Sequence, residues 1–307
     1  MTIQQYLFPE SVQDCLKELG KHSGRARIIA GGTDLVLAVR RGDCNPVALL
    51  DITKIGELEG IMEEGGEVRL GARVTHAACA SSPLIQKSGT CLAEACMSVS
   101  SPQIQHVATV AGNVINAQPA ADGAIALVAL GARARVVSIQ GEREERVEEL
   151  YVGVGQSRVD STRELLTELR FPLSKRSEGT AFLRVTPPNG MGLPVLNGAV
   201  WVSLQEQGIE DVRIALGPVS DHPFRPQGSE GVLRGARWDD PDRLEKATRL
   251  ASEEATPRDS LLRGSAAYRR RLTKILVEAL LKKAIERAQG CDPNPQMTGG
   301  FIPGTGI

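Results

Sequence analysis

Two short glycine-bearing stretches hold the residues best suited to chemistry. The first is Ile29, Ala30, Gly31, Gly32, Thr33, Asp34 and Leu35. Adjacent glycines have no Cβ, so a ligand can approach their backbone N–H groups. The Thr33-Asp34 pair that follows is a helix start. The unpaired N–H groups and partial positive charge of that helix would attract an anion, with phosphate or pyrophosphate the best match. The spacing is neither G-x-G-x-x-G nor a P-loop, because no Gly-Lys-Ser/Thr follows. Alone, the pair reads better as an ordinary strand-to-helix turn than as an anion site. The second stretch, Thr109, Val110, Ala111, Gly112 and Asn113, has the same character and is followed by Asp122. A carboxylate accepts strongly from sugar or ribityl hydroxyls, and Asp122 also reads as a helix N-cap. Two anion-cradling turns and a hydroxyl acceptor suggest one elongated ligand with a diphosphate in its middle.

The elements around these stretches follow from residue periodicity. Ser11 is an N-cap for a helix with Val12, Cys15, Leu16 and Leu19 on one face. Residues 27–30 form a short buried strand, Gly31-Gly32 turns, and Thr33 or Asp34 caps a helix that runs to Gly42. Residues 47–52 are a second strand, so positions 1–55 make a small α/β unit. Residues 56–172 form a second unit: a strand at 68–71, helices at 75–80 and 84–99 with a break near Gly89, a helix from Asp122 to Ala129, and strands at 134–140 and 164–171. After Pro172 the texture changes. Strand-like runs within 180–204 flank the Pro/Gly-rich loop TPPNGMGLP, and 211–217 adds another strand. A long helix from about Tyr268 carries Leu272, Ile275, Leu276, Ala279, Leu280, Ala284 and Ile285 at helical spacing. Its basic run, Arg269 to Arg271 with Lys274, Lys282 and Lys283, reads as a solvated face. The expected third unit spans 173–290, with an extended tail over 291–307.

Composition removes other functions. The net charge of -1 argues against a general nucleic-acid or membrane-surface binder, and 3% aromatic residues against base-stacking platforms. The six cysteines form no C-x-x-C pair, and His76 with Cys79 lacks a second ligand pair, so reduced thiols and no metal site are expected. No apolar window approaches the roughly 20 residues of a membrane span. The N-terminus has no basic region before a long apolar core, so a cytoplasmic location is expected. No titratable pair calls for a general acid or base.

The sequence resembles the FAD-binding subunit of the molybdenum hydroxylases, the group of xanthine dehydrogenase and aerobic carbon monoxide dehydrogenase. IIAGGTDL matches the first flavin motif. SSPQIQHVATVAGNVINAQPAAD matches the second, and ELLTELRFP, VRIALGPV and RGSAAYRRRL match later landmarks. The resemblance covers nearly the whole chain. It implies an α+β fold: two FAD-binding subdomains of the vanillyl-alcohol-oxidase-like (PCMH) type, then a C-terminal α+β domain with an antiparallel sheet. It implies FAD as cofactor, with its diphosphate at 30–34 and 109–113 and Asp122 nearby. It also implies that Ser100 touches the cofactor, that Leu166 packs near the flavin and that Arg184 stands near its ring. Read without the resemblance, Leu166 is plain strand core and Arg184 a surface residue. The implied partners are a [2Fe–2S] subunit and a large molybdopterin subunit, with NAD as a possible electron acceptor. Ala111 and the TPPNGMGLP loop depart from the family pattern. With no Cys between Asn113 and Phe171, no iron–sulfur cluster is expected in this chain. A stand-alone FAD-dependent oxidoreductase and a scaffold without cofactor remain alternatives.

Overall fold

The computed structural model describes residues 3–186, 192–290 and, for the backbone, 301–303. Three sheets follow one another along the chain. Gln5–Leu7 (β1), Ala26–Ile29 (β2) and Ala48–Asp51 (β3) form a small parallel sheet in the order β1-β3-β2. Its connections are helices. Val12–Lys21 (α1) is capped by Ser11, whose Oγ accepts from Asp14 N at 3.1 Å. Leu35–Arg41 (α2) is stopped by Gly42 in the left-handed region.

The second sheet is antiparallel throughout. Ile61–Glu64 (β4), Glu67–Gly71 (β5), Arg133–Ser138 (β6) and Gly141–Arg146 (β7) are joined by a central strand that lies beyond a ribbon of Tyr151–Gly153 (β8) and Gln156–Ser157 (β9). That strand is Glu164–Pro172 (β10), and the order is β4-β5-β10-β6-β7. Between β5 and β6 run His76–Ser81 (α3), Pro83–Ser88 (α4), Thr90–Ser98 (α5), Pro102–Gln105 (α6), Val110–Ile115 (α7) and Asp122–Ala129 (α8). The break between α4 and α5 falls at Gly89, where a Cβ would stand 2.9 Å from Phe171 Cζ.

In the third sheet Glu178–Thr186 (β11), Leu196–Gln205 (β12) and Gly208–Gly217 (β13) are antiparallel, and Phe301–Pro303 (β14) lies parallel beside β11. Gln227–Leu233 (α9) and Pro241–Glu254 (α10) lead to the long helix Ala266–Ala288 (α11), which packs on β11 and β12. The approach is close: a Cβ on Gly179 would lie 2.0 Å from Ala284 O. Leu276, Leu280 and Ala284 are buried on that face, joined by Thr273, Val277 and Leu281. Ile275, expected inside, is 53% exposed.

Two hydrophobic clusters result, and the sheets do not divide them cleanly. Phe182, Ala199 and Ala215 of the third sheet belong to the core of the first two sheets and their helices. Buried charge crosses the same seam. Glu94 on α5 is 1% exposed; Lys283 (2.8 Å) and Arg287 (2.7 Å) donate to its Oε1 and Phe182 N to its Oε2 (2.9 Å). The expectation of a solvated basic face on α11 therefore fails at Lys283. It fails also at Arg269, 3% exposed and donating to Pro218 O. Residues 187–191 of the TPPNGMGLP loop and most of the tail lie outside the described residues.

Candidate functional site

The two glycine stretches meet. A Cβ on Gly31 would lie 2.1 Å from Val107 O and 3.0 Å from Ala108 Cα. Gly31 is bare because backbone of Val107 and Ala108, the residues leading into the second stretch, occupies its side-chain position, a reason that the sequence alone does not supply. The second stretch is itself pinned: His76 N donates to Ala108 O (3.0 Å) and Val110 N to Val74 O (3.0 Å). The expected TVAGN turn is the start of α7. Thr109 is its N-cap, and its Oγ1 accepts from Gly112 N at 3.0 Å.

The start of α2 differs. Asp34 holds the N-cap position but makes no side-chain cap bond, and Thr33 does not cap either. The Asp34 side chain hydrogen-bonds Asn116, and burial, partly offset by Arg41 and Asn116, raises its pKa above the usual carboxylate range. The backbone N–H groups of Gly31, Gly32, Thr33 and Asp34 donate to no acceptor among the described residues. Four consecutive donors without internal partners form a surface made for anionic oxygen.

These donors line a cavity of about 1030 Å³, at the upper end of small-molecule sites. Ile29, Ala30, Gly31, Gly32, Thr33, Asp34 and Leu35 line it, as do Ser100, Thr109, Ala111, Gly112, Asn113, Asp122, Leu166 and Arg184. Val110 does not. It is 1% exposed and packs into the core, and its N–H donates to Val74 O. Sequence reasoning missed Arg27, Arg41, His76, Asn116, Glu164 and Arg263, which also line the cavity. Of these, Arg263 lies in the RGSAAYRRRL landmark, and His76 follows the cap residue Thr75 of α3. Ser100 has φ +47, a left-handed conformation that costs a non-glycine residue roughly 1–2 kcal/mol.

Asp122 corrects a second expectation. The N-cap of α8 is Ala121, and the Asp122 carboxylate turns inward instead. Its Oδ2 accepts from Arg184 Nη1 at 2.8 Å and its Oδ1 from Asn197 Nδ2 at 2.5 Å. Burial lifts the Asp122 pKa to about 6, with Arg184 and Asn197 opposing. Arg184 is 5% exposed, which overturns the reading of a surface arginine. It also donates to Ser98 O and, at 2.6 Å, to Gly192 O, while its Nε has no acceptor among the described residues. His76 Nδ1 lies 3.3 Å from Cys96 Sγ, and burial drops the His76 pKa to about 4, so the imidazole is neutral near pH 7. Among the described residues no three His, Cys, Asp or Glu side chains group to hold a metal ion.

Residues 2–174 match the family model described as the FAD binding domain in molybdopterin dehydrogenase, and residues 181–284 match the CO dehydrogenase flavoprotein C-terminal domain. The chain belongs to the FAD-binding medium subunits of the molybdenum hydroxylases. The carbon monoxide dehydrogenase medium chain of Afipia carboxidovorans is 30% identical over 92% of this chain and 96% of that one. The 6-hydroxypseudooxynicotine dehydrogenase complex subunit alpha of Paenarthrobacter nicotinovorans is 30% identical over 92% and 95%. In the solved structure of cyanide-inactivated Cu,Mo-CO dehydrogenase, a chain 27% identical superposes with a TM-score of 0.86, covering 94% of this chain and 100% of that one. This molybdenum hydroxylase subunit is therefore an oxidoreductase component that binds FAD. No helix among the described residues is long and apolar enough to cross a membrane.

Proposed function

We propose that this subunit takes electrons from [2Fe–2S] clusters of a partner subunit and passes them to an acceptor such as NAD. Oxidation of the substrate falls to a molybdopterin-containing large subunit, and the complex works in the cytoplasm. The observation that carries the reading is the row of unpartnered N–H groups from Gly31 to Asp34, facing a cavity that also holds Arg184. FAD fits these residues, since its diphosphate needs such donors. Residues 30–34 and 109, 111, 112 and 113 would hold it, with Ser100 and Asp122 alongside and Leu166 against the ring. The bound cofactor supplies a carrier able to work in both one- and two-electron steps.

The chain's own residues supply orientation and charge. Arg184, fixed by Asp122 and two carbonyls, holds a guanidinium at the cavity wall that would stabilise negative charge on a bound flavin as it is reduced. Leu166, fully buried on β10, excludes water there. The names of the relatives, a medium chain and a complex subunit, support assembly with other chains. The test is to mix the FAD-loaded subunit with its reduced iron–sulfur partner and follow flavin absorbance in stopped flow, then add NAD. Bleaching followed by NADH formation is expected. A flavin that never bleaches overturns the electron path, and bleaching without NADH overturns NAD as acceptor.

A further inference from the structure

Arg263 lines the same cavity from the segment between α10 and α11. That segment is closed at its base by hydrogen bonds. Ser260 and Gly264 exchange two backbone hydrogen bonds, of 3.1 and 2.9 Å, and Ser260 Oγ accepts from Leu262 N and Arg263 N, both at 3.3 Å. Asp259 Oδ1 accepts from Ala266 N at 2.7 Å and ties the turn to the start of α11. Leu261 and Leu262 at the tip stand in solvent, 107% and 82% exposed, whereas Arg263 turns inward.

Its guanidinium has no hydrogen bond or ion pair with any described residue, and Nε is buried without an acceptor. Burial depresses its pKa, and burial followed by the charge of Arg263 depresses that of Arg269. Arg269 is spoken for by the carbonyls of Pro218 and Arg258. A partly desolvated arginine in a positive corner, held on a fixed turn and facing a cavity, lacks one thing: an anion. Guanidinium pairs best with phosphate or carboxylate oxygens, often through two parallel bonds.

We propose that Arg263 is a phosphate-binding residue of this cavity, receiving the phosphate of a nucleotide ligand from the wall built by the third sheet and its helices. The proposal rests on the cavity being the FAD site. The phosphate belongs either to FAD itself or to a second nucleotide that enters as electron acceptor.

The experiment titrates wild type, Arg263→Gln and Arg263→Lys in the full-length subunit. FAD and riboflavin are followed by flavin fluorescence in the apo protein, and ADP-ribose by the perturbed flavin spectrum of the FAD-loaded protein. If the phosphate is that of FAD, Arg263→Gln weakens FAD at least tenfold, leaves riboflavin unchanged, and Arg263→Lys recovers part of the loss. If it belongs to the second nucleotide, FAD is unaffected but the saturable ADP-ribose response of the wild type disappears in Arg263→Gln. Arg263→Gln with wild-type binding of both, or a wild type that shows neither response, overturns the proposal. Should Arg263→Gln not fold, Arg263→Lys is compared for the same FAD-to-riboflavin ratio, and an unchanged ratio together with an unchanged ADP-ribose response overturns it too. Gly31→Ala separates the two readings: if it weakens FAD while Arg263→Gln does nothing, only the arginine proposal fails. If neither variant matters, the cavity assignment fails with it.

Discussion

Gly31→Ala tests the site most directly. The added methyl carbon would stand 2.1 Å from Val107 O and 2.7 Å from Val107 C. An ordinary carbon–oxygen contact is over 1 Å longer, and both neighbours are backbone, so no side chain can swing aside. The two glycine stretches must separate by roughly that distance. Overpacking of this kind costs about 1–3 kcal/mol, and the backbone on both sides puts Gly31→Ala at the upper end. Because the clash is within the protein, the apo subunit should melt several degrees lower before any cofactor is added. Binding should suffer as well. If the N–H row from Gly31 to Asp34 moves about 1 Å from the start of α7, FAD affinity should fall by one to two orders of magnitude, or about 1.4–2.8 kcal/mol. Gly42→Ala is the control. Gly42 has φ +83 but nothing within 4 Å of its Cβ position, so it tests backbone strain without crowding. It should lose about 1 kcal/mol of stability and keep wild-type FAD affinity. Thermal melts of the apo proteins and fluorescence titration with FAD give both numbers. A Gly31→Ala protein that melts and binds like wild type would refute the claim that Gly31 exists to let the two stretches touch.

Burial raises the Asp122 pKa from the ordinary 3.8 to about 6, a difference equivalent to about 3 kcal/mol. A carboxyl with a raised folded pKa gains stability as it protonates. Apo wild type should therefore gain up to about 3 kcal/mol relative to Asp122→Asn as pH falls from 7 to 4, read from denaturant melts, and a flat difference would contradict the assignment. Glu94→Ala removes the carboxylate shared by Lys283 and Arg287. It should cost about 3–5 kcal/mol and split the melt into two transitions in calorimetry, one for each hydrophobic cluster. Ala111→Gly should lower apo stability by about 0.5–1 kcal/mol, as glycine does in a helix, and leave FAD affinity within about twofold, because Ala111 is 4% exposed and its methyl packs in the core. A large gain in affinity would show that the methyl obstructs the cofactor.

Much of the framework could be read from local pattern. Ser11, Gly42, Gly89 and Thr75 mark helix ends because caps and glycines act within one turn of chain. Both glycine stretches and Asp122 could be picked out for the same reason. Strand β7, GEREER, carries no apolar alternation to betray it. It pairs with β6 and carries ion pairs, Arg135 of β6 with Glu142 and Arg143 with Glu164 of β10, that only the folded register brings together. Val110 had the right neighbours and the wrong direction, since its side chain packs into the core. The basic run of α11 looked solvated because nothing near it in sequence shows Glu94 waiting beneath. Arg263 stayed unread for a similar reason: an arginine beside serine and glycine is ordinary until its lack of partners is seen.

The two family models divide the chain between residues 174 and 181, yet the structure interlocks across that division. Asp122 clasps Arg184 and Asn197, and Glu94 clasps Lys283 and Arg287. Each carboxylate lies on one side of the division and its cations on the other. Hybrid proteins made by exchanging C-terminal halves between relatives would thus be governed by a two-key rule. A hybrid in which either acid meets no matching cation would bury a lone charge, so the halves of this subunit are heritable as a pair even though they are recognisable apart.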